Sequence, residues 1–213
     1  MSELTTFAGY RIKGHRSLSH WEPLLEEWLL ATERYCRVME GEDAPYFYNE
    51  RANIGVLAGA AWRCGRIALE EFQHLKGFRN HPKTKGRADL YIAWDKGEEL
   101  VEAKLRWLRL DLKSQKQIEL SEMLLASARA DARKARGNDS WISCIALAFL
   151  PCWLSVAKRN DLSENIEKTV RSFQMSKLAA VAWSFPNHSR DIESDQTGNC
   201  IPGIIMIAES CRR

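Results

Sequence analysis

The stretch GRADLYIAWDKGEELVEAKLRW, residues 86–107, decides the fold of this chain because it has the pattern of two strands joined by a tight turn. Residues 88–94 are mainly apolar, residues 98–105 mix apolar with charged side chains, and Lys96 and Gly97 lie between these two strand-like runs. Two-residue hairpin loops favour turns with positive φ, which glycine adopts readily. The stretch therefore predicts a β-hairpin with Lys96-Gly97 as its loop.

This loop determines which side chains face one another across the hairpin. Side chains alternate between the two faces of a strand, so the facing positions all lie on one side. Opposed and diagonal neighbours are about 4.5–8 Å apart, close enough for ionisable groups to share one small volume. The predicted pairs are Asp95 with Glu98, Ala93 with Leu100, Tyr91 with Glu102, and Asp89 with Lys104.

The carboxylates of Asp89 and Glu102 would share this small volume and repel one another unless a cation lies between them. Mg²⁺ suits such oxygen ligands, because it binds one or two carboxylates and keeps several waters. Glu50 can bring a further carboxylate to the sheet, since it shares an apolar helical stripe. An acidic residue at a helix start equally complements the helix dipole, and both interpretations of Glu50 stay open. The other members of its stripe are Ile54, Leu57, Ala61, Ala68 and Phe72.

An acid-x-Lys triplet is not rare in a chain with 28 acidic residues, so the hairpin must be weighed against chance. A second triplet lies at 111–113, but no acid-bearing strand precedes it across a tight turn. We therefore favour the triplet at 102–104. An exposed hairpin face with an ordinary Asp–Lys pair is the alternative interpretation.

The hairpin resembles the motif of the PD-(D/E)xK nuclease superfamily, whose core is a helix, a meander bearing Asp and then Glu-x-Lys on adjacent strands, a helix and a further strand. The resemblance spans residues 49–150. It places Asp89 at the metal-binding aspartate, Glu102 at the first acid of the motif and Lys104 at its lysine. Glu50 is a weaker match to the helix glutamate of the superfamily.

What the resemblance implies is a restriction-endonuclease-like core that binds Mg²⁺, which Mn²⁺ can replace. Lys104 would orient or deprotonate the attacking water, with its pKa lowered by burial, or else clamp the phosphate by its charge. The sequence does not separate these roles. Ala88 stands where the motif has proline, a departure that the superfamily tolerates, and the superfamily also contains inactive members. The implied metal ligands are Asp89, Glu102, Glu50 and the carbonyl of Ala103.

The segment from Phe72 to Ala88, which precedes the predicted site, is basic: it contains lysines and arginines and no acidic residue. Its cations can follow a phosphate backbone, and binding through them would weaken steeply with salt. A solvated connector is the alternative. Trp94 and Trp107 flank the hairpin and can stack on a base, although core packing is the usual role of tryptophan. The predicted nucleic-acid contacts are Arg79, Lys83, Lys85 and Arg87.

Outside the hairpin, helical and strand-like patterns alternate. The first helix is expected to begin at a capping box of Ser19 and Glu22 and to pack outside the core. Strands separated by helices imply a parallel part, so we expect an α/β fold with a mixed central sheet of about five strands flanked by helices. Helices are expected at 19–40, from an Asp43 or Asn49 cap to about 75, at 113–136 and at 161–175. Strands are expected at 141–150, 178–185 and 203–209, with a polar connector at 76–87 and a loop at 186–202.

The composition is that of an ordinary soluble globular chain, with 213 residues, 45% hydrophobic and 28% charged. A net charge of +3 does not by itself indicate nucleic acid. No signal-like segment and no apolar run of about 18–20 residues occurs, so we expect a cytoplasmic protein without a membrane partner. One domain is expected over 1–213: an N-terminal helical extension (1–45), a catalytic core (46–150) and a C-terminal part that completes the sheet (151–213).

The sequence thus predicts a metal-dependent endonuclease that hydrolyses DNA, in defence against foreign DNA or in DNA repair. No separate recognition domain is visible, so target choice is expected to come from loops, a homodimer partner or another subunit. The alternative is an inactive protein of nuclease fold that binds nucleic acid or a partner protein.

Overall fold

Helices and strands are mixed along the whole chain. The structure, a computed structural model, describes residues 7–13, 18–76, 84–136, 142–194 and 197–211. The helices there are α1 (Glu22–Val38), α2 (Glu50–Arg63), α3 (Ser114–Arg136) and α4 (Leu162–Met175). The strands are β1 (Phe7–Ile12), β2 (Ile67–Lys76), β3 (Thr84–Trp94), β4 (Gly97–Leu105), β5 (Leu108–Arg109), β6 (Ser143–Ser155), β7 (Ala180–Phe185), β8 (Glu193–Ser194) and β9 (Asn199–Ser210).

One mixed, open sheet carries the fold. Its strands lie in the order β1-β7-β9-β6-β4-β3-β2, with β5 beside β6 and β8 beside β9. Neighbours are antiparallel except for the pairs β4–β6 and β5–β6, which are parallel. The predicted α/β class with a mixed, helix-flanked sheet is confirmed. The predicted count of about five strands is wrong, because the described residues form nine.

Strand β2 is one of the four described strands that the sequence patterns did not predict, with β1, β5 and β8. The helix predicted to continue to about residue 75 ends at Arg63. Gly65 has a φ of +79°, and the N–H of Arg66 bonds to the carbonyl of Ala61 at 2.9 Å. This left-handed glycine cap terminates the helix, and the chain leaves it as a strand. The expected connector at 76–87 is also partly strand, since β2 and β3 pair from Ile67–Ala93 out to Lys76–Thr84.

The N-terminal segment is part of the sheet and core, not an added helical extension. β1 pairs antiparallel with β7 at one edge of the sheet. The predicted capping box is absent, because Trp21 stands at the N-cap of α1 without a side-chain cap. The expectation that this helix packs outside the core is also wrong, since Trp21 and Trp28 are almost fully buried. Burying two such large rings fixes α1 against the sheet.

Two apolar cores lie on opposite faces of the sheet. One contains side chains of α1 and α2, and the other contains side chains of α3 and α4. Successive residues of β4 contribute to different cores: Leu100 to the α3/α4 core and Val101 to the α1/α2 core. Burial on both faces explains the continuous apolar runs of the central strands. No helix in the described ranges is long and apolar enough to cross a membrane.

Candidate active site

The hairpin of β3 and β4 exists, but its loop is displaced from the predicted one. Trp94 pairs with Gly97, so Asp95 and Lys96 form the turn. Gly97 does not have the positive φ expected of it. Its missing side chain serves packing instead, because a Cβ there would lie 3.1 Å from the ring of Trp94.

The displaced loop changes the cross-strand partners by two residues. Tyr91 pairs with Leu100 rather than Glu102, and the last registered pair is Leu90 with Val101. Continued one step, this register would bring Asp89 beside Glu102 rather than Lys104. A shift of two residues keeps the paired side chains of residues 90–94 on their predicted faces, whereas a shift of one would have reversed them.

The regular alternation of side chains between the two faces of β3 is interrupted at Asp89. Leu90 belongs to the α1/α2 core, whereas Ala88 belongs to the α3/α4 core, although a regular strand places both on one face. On the neighbouring strand, Glu71 lies between the partners of these residues and has a φ of +53°. A non-glycine residue in this left-handed region is strained. The sheet is therefore distorted locally beside the candidate site.

The carboxylate of Asp89 bridges to β4 through the backbone. Its Oδ2 accepts a hydrogen bond from the N–H of Ala103 at 2.7 Å. Ala103 is fully buried, so this N–H has no access to water as a substitute partner. Ala103 thus enters the site through its N–H, and metal binding by its carbonyl stays a prediction.

Glu50 reaches the same place from the first turn of α2. Asn49 caps this helix by accepting the N–H of Ala52 at 3.1 Å, so the Asn49 start, and not the Asp43 start, is the correct alternative. Burial raises the pKa of Glu50 and nearby Asp89 raises it further, while Lys104 and a hydrogen bond from the backbone of Leu105 oppose the rise. Glu50 therefore does both things that the sequence allowed: it sits at a helix start and it faces the other charged groups.

Lys104 projects toward α3, where its Nζ lies 2.9 Å from Oδ2 of Asp131. Burial disfavours the charge of Lys104, but Asp131, Glu50 and Asp89 outweigh it and the pKa of Lys104 is raised. The same hydrogen bond lowers the pKa of Asp131. Sequence reasoning missed Asp131, because the charged residues of α3 are of both signs and give a pattern typical of a solvated helix face. Nothing in its local sequence distinguishes Asp131 from the other acids of that helix.

Glu102 is buried, with 3% of its surface exposed, and Lys104 is 30% exposed at its side chain. These values do not fit the alternative of an ordinary exposed hairpin face. The second triplet behaves differently: Asp111 lies in a turn, bonded to Arg109 and to Lys158. It forms a surface ion-pair network apart from the hairpin.

The two carboxylates that this cluster would offer to a metal ion are those of Glu50 and Asp89. Among the residues that the structure describes, no group of three or more His, Cys, Asp or Glu side chains is arranged to hold a metal ion. Glu50 and Asp89 do influence one another electrostatically, and two carboxylates with waters are sufficient for Mg²⁺. Binding of Mg²⁺ or Mn²⁺ by this pair stays a prediction, as does the ligand role of Glu102.

The predicted basic contacts are only partly described. Arg79 and Lys83 lie outside the described residues. The backbone of Lys85 pairs with Leu75 in the β2–β3 ladder. Arg87 contacts Glu71, with its Nη1 3.1 Å from the carboxylate, so part of its charge is already balanced.

Comparison with known proteins adds no relative: no family model matches the chain, and neither the curated proteins nor the solved structures contain a significant match. The functional assignment therefore depends on the geometry of Glu50, Asp89, Lys104 and Asp131.

Proposed function

We propose that this chain is a metal-dependent nuclease that hydrolyses DNA, with an endonuclease mode of cutting. The observation that carries the proposal is the convergence of Glu50, Asp89 and Lys104 from three different elements at the point where the β3–β4 register ends. Glu102, on the neighbouring strand β4, completes the proposed acidic set. Ionisable groups with shifted pKa values, here Glu50 and Lys104, are often found at functional sites.

The carboxylates of this site are arranged to attract a cation. The proposed ligands are Glu50 and Asp89, with Glu102 as a further candidate. A bound Mg²⁺ would lower the pKa of a coordinated water and stabilise charge on the phosphate. Asp89 is held in place by the Ala103 N–H, which leaves its orientation independent of any ligand. The raised pKa of Glu50 reflects unfavourable burial and repulsion, both of which a cation relieves.

Lys104 acts in this mechanism as a charge and not as a base. Its raised pKa keeps the ammonium protonated at neutral pH, where a general base would have to be neutral. A protonated lysine stabilises the negative charge that grows on a phosphate in the transition state. Asp131 positions this ammonium from α3 and shares it with the incoming phosphate.

Cleavage of supercoiled plasmid tests the proposal directly. Wild-type protein is incubated with plasmid in Mg²⁺, Mn²⁺ or EDTA, beside Asp89→Asn and Lys104→Met. Matched controls are Asp95→Asn and Lys96→Met, which make the same chemical changes in the exposed turn of the same hairpin. We expect metal-dependent cutting by the wild type and both controls only. Absence of metal-dependent cutting, or cutting by the two site variants at the parental rate, contradicts the proposal.

A non-catalytic DNA-binding or protein-binding module is the second candidate. It is favoured by the fact that Asp89 and Lys104 already have protein partners, the Ala103 N–H and Asp131. In that case DNA binding in EDTA persists while no condition produces cutting. Alanine substitutions at Lys83, Lys85 and Arg87 test the basic segment in either case, with a flatter salt dependence of DNA binding as the expected result.

A further inference from the structure

A cavity of about 570 Å³ lies close to the candidate site along the chain. Its walls combine aromatic rings with hydrogen-bonding side chains, a composition that suits a flat, polar-edged ligand. It differs from the site itself, because it contains none of the converging residues Glu50, Asp89 or Lys104. The lining residues used below are Phe47, Trp107, Trp153, Glu42, Glu193 and Asn199.

Two walls of the cavity are tied to the candidate site by the chain. Phe47 precedes Glu50 by three residues, and Trp107 follows Lys104 by three. Three residues span at most about 11 Å, so the Cα atoms of Phe47 and Trp107 lie within that distance of the Cα atom of a proposed site residue. The backbone of Leu105 bonds to Glu50, which draws these two segments together.

The aromatic walls offer surfaces for stacking. Trp107 keeps 40% of its surface exposed, which is unusual for a ring of this size. One face of the Trp153 ring is already covered by the guanidinium of Arg109, 5.8 Å from the centroid, so Trp107 is the ring on which the stacking argument rests. Proteins that bind single-stranded nucleic acid stack bases on such rings, a contact that tolerates any base sequence.

The polar groups of the cavity favour a base over a phosphate. The carboxylate of Glu42 repels phosphate but accepts hydrogen bonds from the N–H groups of a base, and the amide of Asn199 can both donate and accept. The carboxylate of Glu193 is paired with Arg159. Arg106 is exposed and stands between Lys104 and Trp107 in the sequence, so it is a cation available to the phosphate of a nucleotide whose base enters the cavity.

We propose that the cavity binds an unpaired nucleobase of DNA, so that the preferred substrate contains a single-stranded segment next to the phosphate to be cut. This inference rests on the proposed nuclease function for its link to cleavage, but not for binding itself. A base inside a duplex is stacked and paired and cannot enter a side cavity without first being extruded. Single-stranded or flap-bearing DNA presents the base without that penalty.

Binding in EDTA tests the cavity independently of cleavage. Fluorescence anisotropy measures the affinity of the full chain for a labelled single-stranded oligonucleotide and for a duplex closed by hairpins at both ends. The variants are Trp107→Leu and Trp107→Phe. The matched control is Trp62→Leu, which changes another exposed tryptophan that does not line the cavity.

We expect Trp107→Leu to weaken single-stranded binding about ten-fold, because one stacking contact is lost, and to leave duplex binding unchanged. Trp107→Phe should recover part of the loss, and Trp62→Leu should bind as the parent does. Unchanged single-stranded affinity in Trp107→Leu, or an equal loss for both DNAs, overturns the inference.

The two proposals fail in different experiments. A protein that never cuts DNA in Mg²⁺ or Mn²⁺, but that binds single strands through Trp107, retains the cavity and loses the nuclease function. A protein that cuts subsaturating single-stranded DNA equally well with Trp107→Leu retains the nuclease function and loses the cavity. If both hold, Trp107→Leu raises KM for single-stranded substrate and leaves its kcat nearly unchanged.

Discussion

Replacing Asp89 by two different residues separates its structural role from its chemical one. Its Oδ2 accepts the N–H of Ala103 at 2.7 Å, and Ala103 is fully buried. Asp89→Ala leaves that N–H without a partner, which costs about 1–3 kcal/mol in free energy of unfolding. Asp89→Asn keeps an oxygen acceptor in nearly the same place and loses only the charge, and a neutral bond is about half as strong as a charge-assisted one.

The remaining electrostatic changes at Asp89 partly cancel. Either substitution removes attraction to Lys104, which destabilises the fold, and repulsion of Glu50, which stabilises it. The expected loss is therefore about 2 kcal/mol for alanine and about 1 kcal/mol or less for asparagine. For a chain of 213 residues, this corresponds to falls in Tm of about 4–8 °C and about 2–4 °C.

Urea unfolding followed by tryptophan fluorescence measures these losses, and plasmid cleavage measures activity. Both variants should lose on the order of 100-fold or more in cleavage rate, because neither supplies a carboxylate. Asp89→Asn is thus expected to be folded and inactive. If alanine destabilises no more than asparagine, the Ala103 bond does not matter for stability. If asparagine cuts DNA at the parental rate, the catalytic role of the Asp89 charge is wrong.

Three further predictions concern neighbouring groups. Because burial raises the pKa of Glu50, the proton on this carboxyl stabilises the fold below the ordinary pKa of 4.5, and that stability is lost as pH rises through the folded pKa. Glu50→Gln should therefore flatten the dependence of the urea unfolding midpoint on pH between pH 4 and 7. An unchanged pH dependence would refute this. A double-mutant cycle of Lys104→Met and Asp131→Asn should give a coupling free energy below about 1 kcal/mol, because the two side chains are 30% and 34% exposed. A coupling free energy of about 3 kcal/mol would instead indicate a buried ion pair. Glu99 is 2% exposed and accepts a hydrogen bond from the indole N–H of Trp21 at 2.7 Å. Glu99→Ala should therefore lower the free energy of unfolding by about 2–3 kcal/mol, and Glu99→Gln should lower it by less. Equal losses in the two variants would exclude this hydrogen bond as the cause.

The sequence by itself determined those features whose physical cause is local. Periodic apolar residues predicted α3 and α4 close to their observed bounds, and they predicted a hairpin within 86–107. The face on which Glu102 and Lys104 lie was also predictable, since strand side chains repeat every two residues and the error in register was two. The break in alternation at Asp89 was not predictable in this way. The end of α2 also had a local signal, the glycine at position 65, although the predicted helix continued past it to about residue 75.

Only the tertiary structure decided which side chains meet. The loop of the hairpin depends on how the ring of Trp94 packs over Gly97, and turn preferences do not include that contact. Asp131 reaches Lys104 because the apolar face of α3 packs on the sheet, which sets the helix position without any signal at Asp131 itself. Side-chain alternation, capping and helix ends are properties of neighbouring residues, and the sequence therefore states them. Contacts between distant segments depend on how whole elements fit together, which no short pattern specifies.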